Sequence, residues 1–589
     1  MADSKNSYVE LESDAILDHP LATTKTTNSD GVHSEGSGSN HLPQYDNKYA
    51  SSTLSGESIS DYDLRTLRRI SDKLPAAVWL VALVELCERF TYYGISGPFM
   101  NYMQNPVGGL RPGAIGLGQS KASALIYFFQ FWCYVTPIAG AIIADQYWGK
   151  YKTICVFAGI YATGNLILFL TSLPASIANG AALGGLVTAM IIIGVGTGGI
   201  KSNVSPLIAE QYTNTKRYVK ELRTGERVIV DPAVTIQSLF MIFYLCINVG
   251  SLSAIATTEL ELHIGFWAAY LLPFAFFFVG ITSLIIGRPY YVKKAPRGSV
   301  VPHAFRILLI GATRRSLNSA KPSVRSAAGL SPVPWTDHFV EEVERAMVAC
   351  KVFVFFPIYW LVYGQMLNNF VSQAGQMETH GIPNDIMQNI DPIAIIIFIP
   401  ICDKFLYPAL RKIGIPFRPI TRIFFGFMFA ALAMAYAAIV QQIIYNAGPC
   451  YEYPLMCDAS NGGTIPNRVH VAIQTPAYFL IAMSEIFASV TGLEYAYTKA
   501  PVSMKSFVMS MFLLTNAFGA AIGIAISPAS KDPGLVWSYT VLACVTLFFG
   551  CMFFLLFKKY NKDEDQMNSL ENEIEDTFID DAQATLNTA

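Results

Sequence analysis

The stretch AAVWLVALVELCERFTYYGISGPFMNYMQ, residues 76–104, decides the fold class. It opens as an apolar run fit to enter a bilayer, then places Glu85, Glu88 and Arg89 in the middle of that run. A helix needs roughly 20 apolar residues to cross hydrocarbon, and each ionised group inside it costs several kcal/mol unless it faces a partner or a wet cavity. At helical spacing Glu85, Glu88, Arg89 and Tyr92 stand at i, i+3, i+4 and i+7, so one face presents two carboxylates, a guanidinium and a phenol, with Ser96 a turn further. A packing clamp between helices would need only one acid for Arg89 and would leave a charge over. A functional face inside a membrane accounts for all three charges.

Working outward, hydrophobic residues make up 52% of the 589 and charged ones 14%, with a mean hydropathy of +0.37, so lipid is the expected solvent. Further apolar segments at about 119–146, 151–172, 181–207, 233–257 and 263–287, then 347–374, 386–412, 416–446, 468–498, 504–527 and 534–558, complete twelve predicted spans. The expected fold is an all-α membrane protein with two six-helix bundles, residues 75–287 and 347–560. Residues 1–74 read as a disordered tail, 288–346 as a linker with an amphipathic piece at 337–348, and 561–589 as an acidic tail. Basic residues cluster before the first span (Arg65, Arg68, Arg69, Lys73) and in alternate loops (Lys150, Lys152; Lys216, Arg217, Lys220; Lys293, Lys294, Arg314, Arg315; Lys404, Arg411, Lys412). The opposite side carries few, mainly Arg111, Lys121, Arg468 and Lys531. The positive-inside rule therefore puts both tails and the linker in the cytosol. A net charge of −2 argues neither for nucleic acid nor for an acidic partner, and residues 1–74 lack the apolar core of a cleavable signal.

Other ionisable groups interrupt later spans: Lys201 in the fourth, Asp391 near the start of the eighth and Glu485 in the tenth. The cations Arg89 and Lys201 belong to the first half and the acids to the second, so the space between halves is polarised. A zwitterion one peptide long fits it, its carboxylate on Arg89 and Lys201 and its amine on Glu485. Lys201 is placed either to pair with Glu88 or to stand alone. Asn248, Gln365, Asn368, Asn369 and Asn516, with Tyr92, Tyr93, Tyr127, Tyr134 and Trp360, are individually most often packing residues but jointly suggest a mixed pocket. The glycines of GVGTGGI (194–200) lie in an apolar span and indicate close helix approach rather than a nucleotide loop. Most of the ten cysteines sit singly in apolar runs; Cys450 and Cys457 share an outer loop, where a disulfide and two free thiols are both open. No nucleophile, base and orienting group gather at a recognisable spacing, and no metal or organic cofactor is expected.

ELCERFTYYG (85–94) resembles the E-x-x-E-R-F-x-Y-Y-G signature of the proton-coupled oligopeptide transporters of the major facilitator superfamily. GAIIADQYWGKYKT (140–153) is similar to the superfamily's loop between the second and third helices, and GTGGIKSNVSP (196–206) to the family's lysine-bearing fourth helix. TGLEYAYTKAPVSMKS (491–506) looks like its helix 10 to 11 junction, and the tails with GPCYEYPLMC (448–457) look like its fungal branch. The resemblance spans about residues 75–560. It implies proton coupling at Glu85 and Glu88 with Arg89 and Lys201, peptide carboxylate on Arg89 and Lys201, peptide amine on Glu485, and pocket walls from Tyr93, Tyr127, Tyr134, Asn248 and Trp360. It implies proton-driven uptake of di- and tripeptides at the plasma membrane by a monomer, with the proton as the only coupling species. Several positions depart from the pattern: Ser96 replaces a second arginine, Phe128 the histidine of animal members, Gly364 a helix 7 aspartate, and Asp391 an asparagine, which makes Asp391 an additional proton or amine site. The alternatives are transport of another anion such as nitrate, and a peptide sensor that does not transport.

Overall fold

Why twelve helices form follows from hydrocarbon itself, which leaves no water to satisfy backbone N–H and C=O groups, so each apolar span must close its own hydrogen bonds. The computed structural model describes residues 67–560 apart from 110, 215, 223–224, 297, 299, 414–416, 462 and 500–503. The predicted acidic tail and residues 1–66 of the predicted N-terminal tail lie outside the described residues. Helix α1 is Ala76–Ser96. It is followed by α2 (Gln119–Trp148), α3 (Lys150–Thr171), α4 (Ala182–Glu210), α5 (Val234–His263) and α6 (Phe266–Gly287). The second six are α7 (Asp337–Gly375), α8 (Asn384–Ile401), α9 (Pro419–Asn446), α10 (Val471–Ala496), α11 (Phe507–Ala529) and α12 (Leu535–Phe557). The eleven helices α2–α12 are apolar and long enough to cross a membrane, while α1 is set apart by its three charges.

The first predicted span ends early. Gly97 and Pro98 break it, and Phe99–Gln104 forms a separate short helix, because a proline ring inside a helix clashes with the preceding turn and removes a hydrogen bond. The glycines of GVGTGGI act as close-approach points. A methyl at Gly198 would come within 2.4 Å of Thr136 of α2, and one at Gly199 within 2.1 Å of the Phe157 ring of α3. On α1, Cys87 packs against Gly280 of α6 and Arg89 against Gly250 of α5, where a methyl would lie 2.7 Å from the Arg89 Cβ. The charged helix is thus held on two sides by backbone that carries no side chain.

The segment between the bundles holds two amphipathic pieces. Val300–Arg314, which the polar composition of the loop conceals, buries Val301, Ala304, Ile307 and Gly311 at helical spacing. Asp337–Cys350 begins α7 with Thr336 accepting a hydrogen bond from the Phe339 N–H at 3.2 Å, and it buries Val340, Val343, Ala346 and Ala349. Cys450 and Cys457 are joined as a disulfide.

Residues 67–74 with Thr213–Leu239 form a small unit of their own. Strand β1 (Arg69–Ile70) pairs in parallel with β3 (Arg227–Val230), which pairs antiparallel with β2 (Tyr218–Glu221). Asp231, buried at the end of β3, receives Arg69 at 3.5 Å and Arg217 at 3.1 Å. Residues 67–74, which the sequence places in the N-terminal tail, here join this sheet through β1 and Arg69.

Candidate functional site

The centre of the bundle is organised by α1. Glu85 is 3% exposed, Glu88 0% and Arg89 5%. The guanidinium spans both acids, Nε lying 3.1 Å from Glu85 Oε1 and Nη2 2.5 Å from Glu88 Oε2. The other oxygen of Glu88 accepts from Thr197 Oγ1 of α4 at 2.6 Å. One turn beyond Thr197 stands Lys201, half-buried, its ammonium 3.8 Å from the centre of the Tyr134 ring. The pair with Glu88 that the sequence allows is not made: Glu88 takes Arg89 and Thr197, and Lys201 takes an aromatic face, a contact of cation–π type. Arg89 also lies 5.6 Å from the Tyr92 ring, and Tyr92 meets Tyr93 edge to face. Both cations of the first half therefore end on a wall of tyrosines.

The acids of the second half are held differently. Asp391, on the first turns of α8, is 3% exposed, and Glu485 begins a π-helical turn in α10. Such widened turns recur at functional sites because they re-aim a side chain out of the regular ladder. Tyr363 hydrogen-bonds Glu485, and Glu485 lies within electrostatic reach of Asp391 and of Tyr93 and Tyr134 across the halves. Among the described residues, Asp391 Oδ1 and Glu485 Oε2 have no hydrogen-bond donor. Neither acid has an ion pair among the described residues. Thr197 and Tyr363 were missed by the sequence reading. Their signal was there: Thr197 precedes Lys201 by four residues and Tyr363 follows Trp360 by three, each on the same helical face.

The remaining predicted residues divide between pocket and seam. Trp360 donates from Nε1 to Thr515 Oγ1 at 3.0 Å, and Asn248 donates to the Tyr244 carbonyl of its own helix at 2.8 Å. Tyr127 is 1% exposed and stitches α2 to α7, its hydroxyl donating to the Leu361 carbonyl at 3.1 Å and accepting from Gln365 Nε2 at 2.6 Å. Gly364 is fitted to it, since a methyl there would lie 2.8 Å from the Tyr127 ring. Gln130 donates to Asn516 at 2.7 Å, and Gln119 and Ser123 both donate to Asn369 Oδ1, at 3.0 and 3.2 Å. Arg111, in the loop after α1, spends its guanidinium on Gly375 O, Met377 O and Thr379 Oγ1 at 3.2, 2.7 and 2.7 Å. Burial pushes Arg111 down to about 10, with nearby Asp385 acting against that, so it remains a cation at neutral pH. The bonds of Tyr127, Gln130, Gln119, Ser123 and Arg111 join the two halves, those of Gln119, Ser123 and Arg111 toward the face where odd-numbered spans end. Among the described residues no group of three or more His, Cys, Asp or Glu is placed to hold a metal.

A charged first helix, a lysine on α4 and a lone acid pair in the second half form one constellation, and the chain matches the POT family profile over residues 151–542. The chain belongs to the POT family. Peptide transporter PTR_A of Candidozyma auris is 56% identical over 571 residues, covering 97% of this chain and 95% of the relative. Peptide transporter PTR2 of Saccharomyces cerevisiae (strain ATCC 204508 / S288c) is 51% identical over 523 residues, covering 89% and 85%. The crystal structure of the POT family transporter PepTSo superimposes with a TM-score of 0.66 at 21% identity, over 83% of this chain and 99% of that one, which establishes the shared fold. This POT family member is thus a multi-pass membrane transporter rather than an enzyme, built as two six-helix bundles.

Proposed function

We propose that this chain carries di- and tripeptides into the cell together with protons, across the plasma membrane, as a monomer with both tails and the linker in the cytosol. Peptide transporters at 56% and 51% identity over most of their length support the substrate class. The observation that carries the reading is the segregation of charge. Arg89 and Lys201 belong to the first half, whereas Glu485 and Asp391 of the second half have no cationic partner among the described residues. A peptide supplies both missing ions at once. Its carboxylate goes to the fork of Arg89 and the ammonium of Lys201, and its amine to Glu485, with Asp391 as a second acceptor. A simple anion such as nitrate would leave Glu485 and Asp391 without a role.

In this reading, Tyr93, Tyr134, Asn248 and Trp360 line the peptide's path and Tyr127 joins the halves. An arriving carboxylate competes with Glu88 and Glu85 for Arg89. A glutamate that loses its cation in a desolvated site takes up a proton, and this exchange of partners biases the halves between their two arrangements. With the basic loops in the cytosol, the bridged face is the outer one. The inside-negative potential adds roughly 2.3 kcal/mol per net charge per 100 mV.

The test is uptake of labelled dipeptide by the purified protein in liposomes. Accumulation is expected only with an inward proton gradient or an inside-negative potential, with unlabelled tripeptide competing. Glu88→Gln is expected to keep peptide exchange and lose uphill accumulation. Absence of both entry and exchange in the unaltered protein would overturn the reading in favour of a sensor.

A further inference from the structure

Away from the central site, a second set of buried acids meets across the two halves. Glu261 lies on the last turn of α5 and is 3% exposed; Asp385 lies at the start of α8 and is 0% exposed. Asn101 and Asn384 tie the two segments together, and the carboxyls lie close enough to interact directly. Glu261 Oε1 accepts from Asn101 Nδ2 at 2.9 Å, and Asn101 and Asn384 exchange amide hydrogen bonds at 2.9 Å in each direction. Among the described residues no side-chain N–H or O–H reaches Glu261 Oε2 or either oxygen of Asp385. Two carboxyls can bond to one another only when at least one carries a proton, because two bare carboxylates present four acceptors and no donor.

Among the described residues neither acid makes an ion pair. Arg111 acts on Asp385 electrostatically, but its N–H groups are committed to Gly375, Met377 and Thr379. The other titratable groups facing the pair are Glu259 on α5, Tyr270 on α6 and Tyr478 on α10, which supply no positive charge. Beside it, a cleft of about 430 Å³ is lined by Arg111, Leu262, Glu378, Thr379, His380 and Ile382. The cleft touches the residue next to Glu261 and carries a Glu378–His380 contact of 3.8 Å.

We propose that Glu261 and Asp385 form a second proton-binding site, a carboxyl–carboxylate latch that holds this face of the transporter closed while it carries a proton. Closing brings the two acids together and takes one proton from the solution on that side. The O–H of one carboxyl then donates to the carboxylate of the other. Opening separates them into water and returns the proton to the same side, so the latch adds pH dependence to the gate without changing how many protons cross.

Spin labels on cysteines placed at exposed Val107 and Ile382, one in each half, read the gate distance when exposed Cys544 and Cys551 are replaced by serine. In nanodiscs without peptide, the open-to-closed ratio is expected to rise by up to about tenfold per pH unit above the pair's titration, the slope set by one proton. Asp385→Asn and Glu261→Gln each supply a permanent amide donor, so each is expected to stay closed with no pH dependence. A gate distance that does not move with pH in the unaltered protein overturns the proposal, as does an unchanged dependence in both Asp385→Asn and Glu261→Gln. The measurement uses neither peptide nor gradient, so its failure is distinguishable from failure of the transport reading.

Discussion

In the first half of the bundle, Glu85, Glu88 and Arg89 are neighbours on one helix, and a single guanidinium answers both acids with Thr197 adding a hydroxyl. In the second half, Asp391 and Glu485 come from different helices and lie within electrostatic reach of each other, with one tyrosine and, among the described residues, no cation. Asp391 is as buried as the first set and Glu485 is half-buried, but the first set is closed on itself and the second awaits a positive charge. The difference implies opposite responses to mutation. A self-satisfied buried ion set is destabilised when one member is removed, because the remaining charges keep their desolvation cost and lose their compensation. An open acid is already uncompensated, so neutralising it removes a liability from the empty protein while removing a contact from the loaded one.

Arg89→Ala should therefore produce the largest change. It leaves Glu85 and Glu88 as neighbouring acids with Thr197 as the one direct donor among the described residues, and the expected loss is about 3–5 kcal/mol in thermal unfolding in detergent, together with loss of peptide uptake. Arg89→Lys should recover part of the stability and little of the uptake, since one ammonium cannot replace a fork that reaches both acids. A melting temperature unchanged in Arg89→Ala would break the comparison outright.

The converse change follows on the other side. Glu485→Gln and Asp391→Asn should leave the unfolding free energy of the empty protein within about 1 kcal/mol of the original, or raise it. Glu485→Gln should weaken peptide binding by roughly tenfold or more, the value of a hydrogen bond to a charged group, as read by competition against a labelled dipeptide. If Glu485→Gln destabilises the empty protein as strongly as Arg89→Ala, then Glu485 already has a cation and the contrast between halves fails.

Most of this contrast was legible in the chain because hydrocarbon makes ionised groups conspicuous. Glu85, Glu88, Arg89, Lys201 and Glu485 stand out from apolar runs on cost alone, and the same apolar runs mark the spans to within a few residues for most helices. What escaped was set by pairings between distant segments. Glu261 and Asp385 lie at helix ends, where an acid ordinarily meets water, and only the folded chain brings them together. The choice of Lys201 for the Tyr134 ring over Glu88 also depends on helix rotation, to which spacing along one helix is blind. Likewise Tyr127 reads as an aromatic wall in sequence and serves as a buried bridge in the fold.

A third carboxylate gives the comparison an intermediate case and the smallest expected effect. Asp532, between α11 and α12, accepts from the Tyr445 hydroxyl and, at 2.8 Å, from Gln376 Nε2, so it has two donors and, among the described residues, no ion pair. Burial pushes its carboxyl from the ordinary 3.8 up to about 6, and the two hydrogen bonds only partly counter this. The folded protein therefore holds the proton more tightly than the unfolded chain. The resulting stabilisation is complete below about pH 4 and is lost as pH rises through about 6. Two pH units of such linkage correspond to roughly 3 kcal/mol, and because the side chain is not fully enclosed about 1 kcal/mol is expected. Unfolding followed from pH 4 to pH 8 should show the original protein losing that amount relative to Asp532→Asn, with peptide uptake at a fixed gradient the same in both. A constant difference across that range would mean that Tyr445 and Gln376 fully compensate the carboxylate, and that hydrogen bonds alone can do for a buried acid here what Arg89 does for Glu85 and Glu88.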